Sequence, residues 1–209
     1  MRIISGIYKG RKIKALTNAN TRPTIDRVRE AWASTLVSLL ATDDFSGLKV
    51  LDAFAGSGAL GLELLSRGAG SCLFLENDKQ AFAVLTENVQ SLGLTPARAQ
   101  LLLCDTLSPR LLEKLRGRAA FTLLCLDPPY KLNQSEIAQF LIALAENALI
   151  AQTTLISYEH HEGDPDDMDG LILTRDPDSL ALKLVRHKKY GTIVLDYYQV
   201  CQKTAKDPC

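Results

Sequence analysis

Asp127-Pro128-Pro129-Tyr130 follows directly on the apolar run Phe121-Thr122-Leu123-Leu124-Cys125-Leu126. It brings a carboxylate, two stiff carbonyl-bearing residues and an aromatic ring to one place. The carboxylate and a neighbouring carbonyl can accept hydrogen bonds from an exocyclic amine, and the ring offers a face for a base to stack on. This is equipment for chemistry on the amino group of a nucleobase. Taken alone, the tetrapeptide also reads as a turn after a core strand, because X-Pro-Pro is ordinary turn chemistry. What must position it is a strand. So apolar a run suits a parallel strand covered on both faces, and two prolines without N–H donors end its ladder. The carboxyl ends of such strands are where open α/β sheets hold ligands.

A second constellation lies upstream. Leu48 to Gly61 reads as a strand, a glycine-rich turn and the start of a helix. Gly56 and Gly58 allow a sharp turn and close approach to a ligand, and Gly61 allows the helix to pack near the strand. The match to G-x-G-x-x-G alone also suits a dinucleotide fold or a plain tight turn. Two further acids sharpen it. Glu76 ends the run Ser71-Cys72-Leu73-Phe74-Leu75, 20 residues past Gly56, where a carboxylate can accept both hydroxyls of a ribose. Asp105 ends the run Gln100-Leu101-Leu102-Leu103-Cys104 and can accept from an adenine amine. Three successive strands ending in an acid, then a fourth ending in Asp-Pro-Pro-Tyr, are hard to assign to chance.

With these residues in view, the chain resembles the class I S-adenosylmethionine-dependent methyltransferases, and specifically the RsmD family. That family methylates the exocyclic N2 of a guanine, guanine 966, in bacterial 16S ribosomal RNA. The resemblance runs through Arg2-Ile3-Ile4-Ser5-Gly6, Lys9-Gly10-Arg11-Lys12, Thr21-Arg22-Pro23-Thr24, Asp26-Arg27-Val28-Arg29-Glu30, Phe54 to Gly61, Asp127 to Tyr130 and Tyr190-Gly191. The nucleotide-binding motifs are common to many methyltransferases, and the basic amino-terminal block is the specific part. Trp32-Ala33-Ser34 stands where the family has leucine, phenylalanine and asparagine, so no role passes to Ser34. The resemblance implies a Rossmann-like α/β fold with a mostly parallel seven-stranded sheet, a C-terminal antiparallel hairpin, and a small N-terminal β-hairpin and helix. It implies S-adenosylmethionine as cofactor, with Asp52, Phe54, Gly56, Ser57 and Gly58 at the turn, Glu76 on the ribose and Asp105 on the adenine. Asp127, Pro128, Pro129 and Tyr130 form the catalytic set: Asp127 and the Pro128 carbonyl accept from the amine, and Tyr130 stacks on a flipped-out base.

Charge supports a polyanionic partner. The chain is neutral overall, yet residues 1 to 30 hold eight basic side chains against two acidic ones, a net +6. A charge run of this kind is often only a solvated surface, but here it adjoins the expected catalytic face, and cations on phosphates release condensed counterions. Arg2, Tyr8, Lys9, Arg11, Lys12, Arg22, Arg27 and Arg29 are the candidate RNA contacts. Ile3 to Tyr8 and Arg11 to Lys14 read as arms of a hairpin turned near Lys9-Gly10. Arg22-Pro23-Thr24 then leads into a helix through about Leu40, on which Trp32 reads as core. The expected partner is 16S rRNA, within a small-subunit assembly particle, bound by a monomer.

At 209 residues the chain suits one domain: a basic hairpin and helix over 1–42, a catalytic core over 43–201 and a polar tail over 202–209. No run approaches the ~18 apolar residues of a membrane span, and the first residues lack a signal peptide's apolar segment. Five cysteines show no paired metal spacing, and four lie in apolar runs where a reduced thiol packs. The expectation is a cytoplasmic protein with reduced thiols. Glu159 to Asp169 gathers two histidines and six carboxylates, but its glycine and proline read as a solvated loop, and no metal is expected.

After Gly47 strand and helix patterns alternate. The spacing predicts strands near 48–54, 71–76, 99–104, 121–127 and 152–158, and helices near 58–67, 78–92, 109–117 and 134–148. Residues 180–187 and 192–200 read as an antiparallel hairpin. Three other functions stay open at this point. An N6-adenine or N4-cytosine DNA methyltransferase would use the same tetrapeptide, though no long insertion for reading duplex sequence is present. An NAD-dependent oxidoreductase would use the glycine turn but leave Asp-Pro-Pro-Tyr unexplained, and a noncatalytic RNA-binding module would have no use for the acids.

Overall fold

The apolar run ahead of Asp127 becomes a strand over Leu123–Leu126, every residue of which is buried, as a strand covered on both faces requires. In the computed structural model, which describes residues 1–16, 26–129, 131–161, 168–174 and 179–202, the helices are α1 (Asp26–Leu40), α2 (Ala59–Ser66), α3 (Lys79–Ser91), α4 (Pro109–Leu115) and α5 (Gln134–Glu146). The strands are β1 (Lys49–Asp52), β2 (Ser71–Glu76), β3 (Ala99–Leu103), β4 (Leu123–Leu126), β5 (Leu155–His161), β6 (Leu180–Tyr190) and β7 (Ile193–Gln202). They form a seven-stranded sheet in the order β3-β2-β1-β4-β5-β7-β6. Pairing is parallel for β1 with β2, β2 with β3 and β4 with β5, while β7 runs antiparallel to β5 and β6. The expected mostly parallel α/β sheet with a C-terminal antiparallel hairpin is the observed fold. No described helix is long and apolar enough to cross a membrane. The chain divides into two compact units, Met1–Cys104 and Asp105–Cys209.

In the first unit, α2 begins at Gly58, whose φ of 83° is left-handed and which offers no side-chain cap. The cap comes from Asp52 at the end of β1, whose Oδ2 accepts the Gly61 N–H at 3.0 Å. A carboxylate at a helix N-terminus also meets the positive end of the helix dipole. Gly61 is required by packing: a Cβ there would lie 2.3 Å from the Phe74 ring of β2. Asp78 caps α3 by accepting from Gln80 and Ala81 N–H. Trp32 of α1 is a core residue, 1% exposed.

The amino-terminal segment departs from the expected hairpin. An Arg2–Lys12 bridge and the Ile3 N–H donating to the Arg11 carbonyl join short arms, but Ile4 to Tyr8 does not continue an arm. The N–H groups of Ile4 and Ser5 donate to the Glu63 carboxylate, that of Ile7 to the Ser66 carbonyl and that of Tyr8 to Ser66 Oγ. The end of α2 supplies the partners that a second strand would have supplied. Gly6, with φ of 83°, lies so close that a Cβ would stand 1.9 Å from the Ser66 carbonyl oxygen.

In the second unit, Ser108 caps α4 with Pro109 at its first position, and Asn133 with Glu136 forms a capping box on α5. The hairpin strands β6 and β7 extend further than expected, with a register shift between Leu184 and Arg186. Cys72, Cys104 and Cys125 are not disulfide-bonded, whereas Cys201 is and departs from the expected reduced thiols.

Candidate active site

The glycine turn of the first unit gathers Asp52, Phe54, Gly56, Ser57, Gly58 and Glu76. Asp52 is buried, and its Oδ2 is spent on α2. Glu76 is more deeply committed than expected. Its Oε1 accepts the N–H groups of Asn77 and Asp78, each at 2.8 Å, and its Oε2 accepts that of Gly56 at 2.7 Å. Each carboxylate oxygen has two lone pairs, so Oε1 is filled and Oε2 retains one accepting position. Gly56 has φ of 54°, and among the described residues a Cβ there would touch only Leu16, at 3.5 Å. Behind it, Asn88 donates to the carbonyls of Ser57 and Lys14 and accepts from the Lys14 N–H. One buried amide thus ties the turn to the basic segment.

The basic residues separate into two groups. Arg2, Lys9 and Arg27 line one concavity of about 260 Å³ together with Ile3, Ile4, Gly10 and Glu30. Arg11 and Lys12 are exposed, with Arg11 Nη2 donating to the Ser91 carbonyl at 2.6 Å, and Tyr8 is half-buried. Arg29 is a correction, because it is 0% exposed and cannot meet RNA. Its Nη2 donates to the Arg2 carbonyl, and its Nε lies 3.9 Å from Glu63 Oε2. Glu63, also 0% exposed, takes a 2.9 Å bond from Arg67 Nε as well. Arg29 therefore helps to seat the basic segment instead of presenting charge. Glu63 escaped the sequence reading, although a lone acid inside Ala59-Leu60-Gly61-Leu62-Glu63-Leu64-Leu65 was a visible signal of a buried charge with partners. Arg22 and Tyr130 lie outside the described residues, as do residues 162–167 of the acidic loop.

In the second unit Asp105 is exposed, with Oδ1 accepting the Leu107 N–H at 3.0 Å. Asp127, Pro128 and Pro129 leave β4 and line a pocket with Tyr158, Glu159 and His160. Burial of its carboxyl pushes Asp127 up to about 7, although part of the side chain still reaches the surface. Burial also raises Glu159, to about 8, and the neighbouring Asp127 charge adds to the rise. On the same strand His160 stacks on Tyr158 at 5.0 Å and sets Nε2 2.9 Å from Asp196 Oδ2, while His187 Nδ1 lies 2.7 Å from Asp196 Oδ1. These histidine bonds hold Asp196 below the usual carboxylate range, outweighing its desolvation. Neither Glu159 nor Asp196 was singled out as a site residue. Asp196 had a signal, an acid amid the apolar run Ile193-Val194-Leu195-Asp196-Tyr197-Tyr198.

Comparison with known proteins places the chain among relatives of one kind. The family described as "Conserved hypothetical protein 95" matches residues 1–199. A Bacillus subtilis protein named "Putative rRNA methyltransferase YlbH" is 34% identical over 194 residues, covering 91% of this chain and all of that one. The "Ribosomal RNA small subunit methyltransferase D" of Haemophilus influenzae is 34% identical over 165 residues, 79% of this chain and 81% of its own length. A crystal structure titled as a methylase of Haemophilus influenzae superposes with a TM-score of 0.70 at 30% identity, covering 96% of this chain and 98% of that one.

Proposed function

Because the chain belongs to the RsmD family of ribosomal RNA small-subunit methyltransferases, we propose that it transfers a methyl group from S-adenosylmethionine to the exocyclic N2 of a guanine in 16S rRNA. The observation that carries this reading is Asp127: a carboxyl at the end of a buried strand, in a pocket, with a proton affinity raised to near neutrality. A guanine amine is a poor nucleophile because its lone pair is delocalised. A nearby acceptor that favours a more pyramidal nitrogen and takes its proton is what the reaction needs.

The cofactor, when bound, supplies an activated methyl and a good leaving group, so the chain's part is positioning and electrostatics. Gly56 and Gly58 give the backbone close approach to the methionine portion, beside Phe54 and Ser57. The remaining position on Glu76 Oε2 accepts a ribose hydroxyl, and exposed Asp105 accepts from the adenine amine. At the other reactant, Asp127 and the Pro128 carbonyl accept from the base amine, with Pro129 stiffening the turn and Tyr130 stacking on the base. The Arg2, Lys9 and Arg27 concavity takes backbone phosphates.

Labelled-methyl transfer to small-subunit particles from cells lacking the protein, followed by nucleoside analysis, tests this. N2-methylguanosine is the expected product. N6-methyladenosine or N4-methylcytosine in DNA would move the activity to the alternative substrates, and absence of incorporation into either nucleic acid would overturn the methyltransferase reading. Calorimetry with S-adenosylmethionine and with NAD separates the oxidoreductase alternative.

A further inference from the structure

Parallel pairing sets Leu126 of β4 against Tyr158 of β5. The next residues of the two strands, Asp127 and Glu159, therefore leave side by side on one face, and both line the same pocket. The other titratable groups lining it are Tyr158, His160 and His161. His160 is fixed on both sides: Nδ1 lies 3.1 Å from the His161 carbonyl and Nε2 2.9 Å from Asp196 Oδ2. Both neighbours are oxygen acceptors, so the ring is held between them. Asp196 is further engaged by His187, which is 58% exposed. His160 is thus engaged with Asp196, and among the described residues lining the pocket Asp127 and Glu159 are the two carboxyls.

Resting on the methyl-transfer reading, we infer that Glu159 is the second carboxyl of the acceptor site: it shares one proton with Asp127, and the pair receives the proton that the base amine releases. As the nitrogen–methyl bond forms, the methyl–sulfur bond breaks with its electron pair on sulfur. The nitrogen sheds one proton to the ionised member of the pair, which passes it to water. Two carboxyls held together cannot both ionise near neutral pH, so one stays protonated and the other is kept basic enough to act. The raised proton affinities of both groups, and the contribution of Asp127 to that of Glu159, agree with this arrangement.

The test uses the full-length protein and Glu159→Gln. Carbon-13 NMR of labelled aspartate follows the Asp127 carboxyl in the absence of RNA and cofactor. Its midpoint should fall by on the order of one pH unit when the neighbouring charge is removed. Single-turnover methyl transfer should slow by about tenfold or more, with its pH profile displaced and KM within a few-fold. Asp127→Asn supplies the reciprocal measurement, in which the Glu159 midpoint falls, and keeps the inference testable if the first variant folds poorly. An unchanged partner midpoint in both variants overturns the pair. A lowered midpoint with parental transfer rate and pH profile overturns its role in proton removal. A parent protein that methylates no RNA defeats the functional reading and that role, while the titration still decides whether the two carboxyls share a proton.

Discussion

Replacing Glu76 by glutamine separates two jobs that the wild-type carboxylate combines. Three backbone N–H groups, those of Gly56, Asn77 and Asp78, converge on it at 2.7 to 2.8 Å. A glutamine oxygen can keep the Asn77 and Asp78 bonds, but its amide then turns donors toward the Gly56 N–H. One charge-assisted bond is lost and two become neutral. At about 1.5 to 3 kcal/mol for a charged bond and about 1 for a neutral one, with solvent relieving part of the loss at the exposed Asn77 and Asp78, the fold should lose roughly 2 to 4 kcal/mol. This is a substantial share of the ~5–15 kcal/mol of an ordinary domain. The ribose hydroxyl loses its acceptor as well, and a further 1.5 to 3 kcal/mol corresponds to roughly ten- to a hundredfold in cofactor affinity. Urea unfolding without cofactor reads the first effect. Calorimetric titration with S-adenosylmethionine, well below the unfolding transition, reads the second on folded protein. Destabilisation with unchanged affinity would show that Glu76 only pins the turn, and the ribose assignment would be refuted.

Asp127→Asn should abolish methyl transfer while leaving S-adenosylmethionine affinity within a few-fold, measured by single turnover and calorimetry. The same substitution should stabilise the fold at alkaline pH. Burial holds Asp127 at about 7 in the folded protein, above its ordinary 3.8, so the native state binds the extra proton and the parent loses stability as pH rises from about 4 to about 7. The asparagine variant lacks that contribution, which denaturant titrations at pH 5 and pH 9 would reveal. Gly6→Ala should open the amino-terminal segment to proteolysis, because the added Cβ would meet the Ser66 carbonyl oxygen at 1.9 Å at a φ of 83°; an unchanged digestion pattern would refute that seating. Lys9→Ala with Arg27→Ala should flatten the slope of log RNA affinity against log salt by about one to two units and leave cofactor affinity intact. An unchanged slope would make their concavity only a solvated surface.

The α/β order was legible because it rests on local pattern. The fully apolar run of β4, the glycine at 61 where helix meets strand, and the carboxylates ending β1 and β2 can all be read along the chain. The errors arose where a partner is distant in sequence. Ile4 to Tyr8 has strand-like composition, but the N–H groups of Ile4, Ser5 and Tyr8 find Glu63 and Ser66, 58 or 59 residues away, and alternation carries no trace of that. A count of basic residues places Arg29 with its exposed neighbours, although the helical face it occupies is turned inward onto Glu63. Glu159 sits in a run so rich in acids that composition argues for solvent, and only the register of β5 against β4 sets it beside Asp127.

Helix α2 has eight residues and serves at both ends. Its first turn, with Gly58 and Gly61, shapes the glycine turn; its last, with Glu63, Ser66 and Arg67, seats the basic segment. Each residue advances a helix by about 1.5 Å and turns it by about 100°. Inserting or deleting one residue between Gly61 and Glu63 would therefore swing the Glu63 carboxylate away from Ile4 and Ser5 while the glycine turn stayed in place. Substitutions can accumulate along α2 wherever packing allows, but its length is locked, and length variation among related sequences should fall in the loops that flank it.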